Sequence, residues 1–104
     1  MTRPRRASGS RYRLLLDQLR IDEISTEDLT HYLVAHRETD RRHRLYEQEH
    51  LVALLFDGER DIEEIAQLAG EASGVTFLAV DVDRFAQQLI ALGFAEEIPV
   101  KTKS

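Results

Sequence analysis

Four histidines, His31, His36, His43 and His50, are the residues of this 104-residue chain best suited to metal or proton chemistry. Zinc needs three or four ligands converging on a tetrahedron. His31 and His43 can meet across a hairpin, yet none of the four sits in a compact ligand motif. They read as surface or half-buried strand residues. Glu47-Gln48-Glu49-His50 shares the composition of a zinc-peptidase signature but lacks two histidines one helical turn apart. Asp57, Glu59, Asp61, Glu63 and Glu64 form an acidic cluster without the spacing of a calcium loop, and helix capping accounts for most of it. Serines and threonines lie in arms and turns with no positioned base, and there is no cysteine, so nucleophilic catalysis has no support. The expectation is a chain without catalytic residues, metal or cofactor, hence not an enzyme. The remaining chemistry is recognition: Arg41, Arg42 and Arg44 alternate with His43 and lead to Tyr46.

Charge placement limits what those arginines can recognise. The net charge is −5, but the first 13 residues carry Arg3, Arg5, Arg6, Arg11 and Arg13 and no acid. The remainder holds 9 basic and 19 acidic side chains. An acidic body repels a phosphate backbone, so nucleic acid is not the expected partner. A hydrophobic share of 42% against 32% charged is a folded balance. No apolar run approaches the ~20 residues of a membrane span, and the arginines at the start precede no signal-like apolar segment. Absence of cysteine makes a reducing cytoplasm the expected location.

The elements that must position the arginines follow from periodicity. Residues 1–13 read as a flexible basic arm, 14–98 as one domain, and 99–104 as a tail or linker. Leu14, Leu15, Leu16 and Leu19 form a short apolar cluster, either a helical turn or an extended edge. Residues 20–26 make a weak strand, and 30–37 a strand rich in β-formers. Polar residues 38–41 turn the chain into a second run, 42–46, as in a hairpin. Leu51, Leu54 and Leu55, widened by Val52 and Phe56, carry a helical stripe, with Gly58 as its stop. Asp61 followed by Glu64 marks the N-terminus of a second helix, with Ile62, Ile65, Ala66, Leu68 and Ala69 inward and Gly74 as its end. Asp81 opens a third helix with Val82, Phe85, Ala86, Leu89 and Ile90 inward, and Gly93 ends it. Phe94, Ala95 and Ile98 then fold back on the core. Strands followed by helices predict an α+β domain, a three-stranded antiparallel sheet followed by three helices, with winged-helix-like content.

Leu45, Leu51-Val52-Ala53-Leu54-Leu55-Phe56-Asp57-Gly58, Ile62-Glu63-Glu64-Ile65-Ala66, Asp81-Val82-Asp83-Arg84-Phe85, Leu89 and Leu92-Gly93-Phe94 together resemble the PqqD-like family. These are peptide chaperones of pyrroloquinoline quinone biosynthesis, with a wider circle of precursor-recognition elements. Residues 14–46 also resemble the N-terminal module of membrane-bound peptide zinc metalloproteases. The resemblance implies a non-catalytic module that binds a precursor or leader peptide by strand addition and presents it to a peptide-modifying enzyme. It points to Arg42, His43, Arg44, Leu45 and Tyr46 on the strand. On the third helix it points to Arg84, Phe85, Gln88 and Leu89. Leaders are often acidic in part, so Arg42, Arg44 and Arg84 suit them. Two other readings stand. One is a structural or regulatory docking domain of a larger membrane-associated peptidase or transport protein, this chain being a fragment. The other is a DNA-binding winged helix, disfavoured because the second helix has no basic side chain and the third only Arg84. An exposed edge strand also permits a homodimer.

Overall fold

A computed structural model describes residues 11–98. They form an α+β domain of six strands and three helices. Strand β1 is Arg11–Leu14, followed by a 3-10 turn at Leu16–Gln18. Strands β2 (Leu19–Ser25), β3 (Thr30–His36) and β4 (Arg42–Tyr46) come next. Helix α1 spans Glu47–Leu54 and strand β5 Asp57–Asp61. Helices α2 (Ile62–Ser73) and α3 (Ala79–Ala91) and strand β6 (Ala95–Ile98) complete the order.

The strands make two antiparallel three-stranded sheets, β2-β3-β4 and β5-β1-β6. The first matches the sheet expected from the alternating runs. In the second, Arg11, Tyr12 and Arg13 belong to the domain as its central strand, not to a basic arm. The reason is long-range pairing: Tyr12 lies opposite Glu97 and Leu14 opposite Ala95, while Arg13 pairs with Glu96 and the Arg11 guanidinium donates to the Glu59 carbonyl. Tyr12 is 1% exposed, packs edge-on against Phe56 at 5.9 Å between ring centres, and its hydroxyl donates to Asp83 on α3. One buried aromatic thus ties the sheet to a helix.

Three further expectations change. Gly58 is not a helix stop. Helix α1 closes earlier, where the Phe56 N–H reaches the Ala53 carbonyl and Phe56 turns into the core. Gly58 instead occupies β5 at φ +85°, where a Cβ would sit 3.7 Å from that of Arg13. The inward face of α1 is Val52 and Ala53, whereas Leu54 is exposed. Helix α3 begins at Ala79, and Asp81 lies inside its first turn, because the Asp81 and Val82 N–H groups already bond the Leu78 carbonyl.

The other caps are as the residue types require. Asp61 accepts from the Glu64 N–H at 2.9 Å. Gly93, at φ +83°, ends α3 in a Schellman arrangement: Gly93 N–H bonds the Ile90 carbonyl and Phe94 N–H the Leu89 carbonyl. Leu89 and Phe94, the apolar pair that accompanies this motif, are both fully buried. With Ile62, Ile65, Ala69, Val82 and Ala86 they form the core over which Leu45 and Val34 close the first sheet.

Among the described residues, no helix is long and apolar enough to cross a membrane.

Candidate functional site

Strand β4 lies at one edge of its sheet, and the register shows which of its groups face outward. The Arg37 N–H bonds the Gln18 carbonyl on the β2 side, and the His36 N–H bonds the Arg41 carbonyl on the β4 side. In an antiparallel ladder the direction alternates residue by residue. Even-numbered residues of β3 therefore bond β4, and Val34 and Tyr32 stand opposite His43 and Leu45. It follows that His43 and Leu45 spend their main-chain groups on β3. Arg42, Arg44 and Tyr46 direct theirs away from it. The Tyr46 N–H is taken by the Glu49 carboxylate at 3.0 Å. The N–H and C=O of Arg42 and Arg44 remain as the outward pairing groups of this edge among the described residues.

Helix α3 lies beside that edge. The Gln88 amide nitrogen donates to His43 Nε2 at 3.4 Å. The Arg41 guanidinium donates to the Ala91 carbonyl at 3.2 Å, a cation on the negative helix end. Between them lies a shallow cavity of about 570 Å³ lined by Leu33, Arg42, His43, Arg44, Tyr46, Glu49 and Gln88.

Five of the nine residues singled out in the sequence, Arg42, His43, Arg44, Tyr46 and Gln88, therefore share one cavity wall. Leu45 and Leu89 lie under it with their side chains in the core, at 2% and 0% exposure. Phe85 is half-buried, its ring 6.2 Å from that of Phe56. Arg84 stands on the exposed face of α3 near Asp81 at 3.8 Å and does not line the cavity. Leu33 and Glu49 are additions. Leu33 is cross-strand to Arg44, and Glu49 lies three residues after Tyr46, the position from which a side chain reaches back to an N-cap amide.

Arg42 has a weak partner in Asp40 at 3.4 Å, with both side chains largely exposed. Arg44 forms no ion pair with any described residue.

The histidines are occupied separately. His36, 7% exposed, accepts at Nδ1 from the N–H groups of Glu38 and Thr39 and faces Gln18 Oε1 through Nε2, fixing the β3–β4 turn. His31 lies edge-on to Tyr46, and His50 stacks on Tyr32 at 3.6 Å. No group of three His, Asp or Glu among the described residues is placed to hold a metal ion. In the acidic cluster, burial pushes the Asp57 carboxyl up, but the N–H groups of Glu59 and Arg60 and the Arg60 guanidinium outweigh it and hold it below its ordinary value.

A second cavity, about 420 Å³, opens beside α1 and the end of α2 and is lined by residues that include Tyr32, Glu47, His50, Leu54 and Ser73. Burial lowers the His50 pKa, partly offset by Glu23. Burial raises that of Tyr32, helped by Glu23 and Glu47.

No family model, curated protein or solved structure matches the chain. The reading of the site rests on its geometry.

Proposed function

We propose that the domain is a peptide-recognition module that takes up an extended, partly acidic segment of a precursor peptide along β4 and holds it against α3 for a peptide-modifying enzyme. The observation that carries this reading is the outward N–H and C=O of Arg42 and Arg44, on an edge flanked by a helix and a cavity. Main-chain pairing supplies affinity, and the side-chain pattern supplies selectivity. In an antiparallel added strand, residues opposite Arg42 and Arg44 share their face of the sheet. Acidic residues two apart meet both guanidinium groups, and the residue between them faces His43 and Gln88. The resemblance to PqqD-like modules, stated above on its motifs, agrees with this use of the strand and helix.

The test is a random-peptide display library panned on the full chain. Enrichment of extended sequences with acids two residues apart, reduced by Arg44→Pro, supports the proposal. No enrichment, or enrichment indifferent to Arg44→Pro, overturns it.

A further inference from the structure

The same sheet has a second edge, and its chemistry differs. Gln18 and the even residues of β2 bond β3, so Ile21, Glu23 and Ser25 turn their N–H and C=O groups away from the sheet; Leu19 turns only its carbonyl outward, its N–H being taken by the Leu16 carbonyl. Side chains alternate between the two faces with the same period. Arg20 and Asp22 lie on the exposed face, whereas Leu19, Ile21 and Glu23 share the face of the buried Val34.

We infer that β2 is a self-complementary edge and that a second copy of this chain pairs with it antiparallel about a two-fold axis at Ile21. Only one register opposes outward-bonding residues and also sets the opposite charges of the strand, Arg20 and Asp22, against each other. Outward-bonding residues must oppose one another, which allows axes at odd residues with reciprocal pairs, or at even residues between them. An axis at Arg20 sets Arg20 against Arg20, one at Asp22 sets acid against acid, and one at Glu23 does the same. An axis at Ile21 sets Ile21 on Ile21 as a reciprocal hydrogen-bonded pair and Leu19 against Glu23, where the Glu23 N–H meets the Leu19 carbonyl and the Leu19 N–H stays on Leu16. It also places Arg20 of each copy opposite Asp22 of the other in the closer, non-bonded pairs. Arg20 and Asp22 already approach within 3.4 Å in one chain, so the two copies form a ring of four alternating charges. Strand β4 fails the same operation. Every register that pairs its outward-bonding residues in full sets arginine against arginine, through Arg42 and Arg44. One edge is thus suited to a second copy and the other to an acidic strand.

Sedimentation equilibrium of the full chain, up to about 1 mM, tests this through charge exchange. The wild type should show a monomer–dimer equilibrium that weakens with salt. R20D alone and D22R alone should each abolish it, because each puts like charges opposite one another. An equimolar mixture of R20D and D22R should restore it as a heterodimer, and the double variant R20D/D22R should dimerise by itself. R44E should leave it unchanged. A monomeric wild type overturns the inference, as does a dimer indifferent to either single reversal. Loss in both single variants without recovery in either the mixture or the double variant rejects the register. Both side chains are more than half exposed, so folding is not at stake, and circular dichroism verifies it.

Discussion

Arg44→Pro separates strand addition from side-chain attraction, because β4 alternates between bonded and outward amides. Proline at 44 removes an N–H that points away from β3, so no ladder bond within the domain is lost. One amide hydrogen bond contributes about 0.5–1.5 kcal/mol net. Losing the donor should therefore weaken a bound strand by about 2- to 12-fold. The guanidinium goes with it, and an exposed ion pair adds about 0.2–1 kcal/mol. Arg44→Ala measures that part alone, and the difference between the two variants reports the main chain. His43→Pro is the opposite case. Its N–H faces Val34, 2% exposed, and removing it strands a buried carbonyl at about 1–3 kcal/mol of fold stability.

Hydrogen exchange checks the premise before any peptide is in hand. The amides of Arg42 and Arg44 should exchange as open groups, and those of His43 and Leu45 should be protected. On peptide addition, protection should spread to Arg42 and Arg44. Equal destabilisation by Arg44→Pro and His43→Pro would refute the assignment of edge groups. Equal affinity of Arg44→Pro and Arg44→Ala for the enriched peptide would refute strand addition even if charge matters.

Tyr12→Phe removes the hydroxyl that donates to Asp83 and accepts from Gln87 at 3.1 Å, and should cost about 1–2 kcal/mol in urea unfolding; no loss would mean that β1 is not integral to the core. Gly93→Ala should cost about 1 kcal/mol, read as a lower Tm, since φ +83° penalises any Cβ even though open space surrounds it. His50 carries a lowered pKa, so the unfolded chain binds its proton first. Stability should be level above the ordinary value of 6.5 and fall as pH drops below it, and His50→Gln should flatten that fall in pH-dependent unfolding. Asp57, whose pKa is also lowered, acts in a separate acidic window: its contribution is full above the ordinary value of 3.8 and is lost as pH falls through the folded value.

The first sheet was legible because its strands are self-announcing. Thr30-His31-Tyr32-Leu33-Val34-Ala35-His36 is built from strand formers, and the expected boundaries at 20–26, 30–37 and 42–46 differ from the observed ones by a residue at most. The second sheet was not legible. Strand β5 reads Asp-Gly-Glu-Arg-Asp and β6 Ala-Glu-Glu-Ile, compositions poor in strand-forming residues. They are extended because β1 offers them a partner from the other end of the chain, through pairs such as Arg13 with Glu96. Propensity is local and this pairing is not. The same limit explains α1. Periodicity placed Leu54 inward, but the sheet that would have to cover it leaves a cavity there, and Val52 and Ala53 take the core. The start of α3 was misread for a different reason. Asp81 is a good cap by type, but the chain is already helical when it arrives.

The candidate site follows the same division. Arg42, His43, Arg44 and Tyr46 could be named because a strand announces its own alternation. The helical side was harder, since a helix residue reaches the site only if its rotation about the axis is known. Gln88 reaches His43, whereas Arg84, one turn earlier, turns toward Asp81. The edge is therefore defined by main-chain direction more than by any single side chain. This bears on how the two proposed partners coexist. Pairing through β2 extends the sheet in the order β4-β3-β2-β2-β3-β4 and leaves both β4 edges at its outer ends. A peptide on β4 and a second copy on β2 do not compete for one hydrogen-bonding group. They are distinguished by charge alone: balanced Arg20 and Asp22 on one edge, Arg42 and Arg44 on the other. A sheet with two open edges is exposed to indiscriminate pairing, and under the two proposals the different charge patterns of these edges favour different partners.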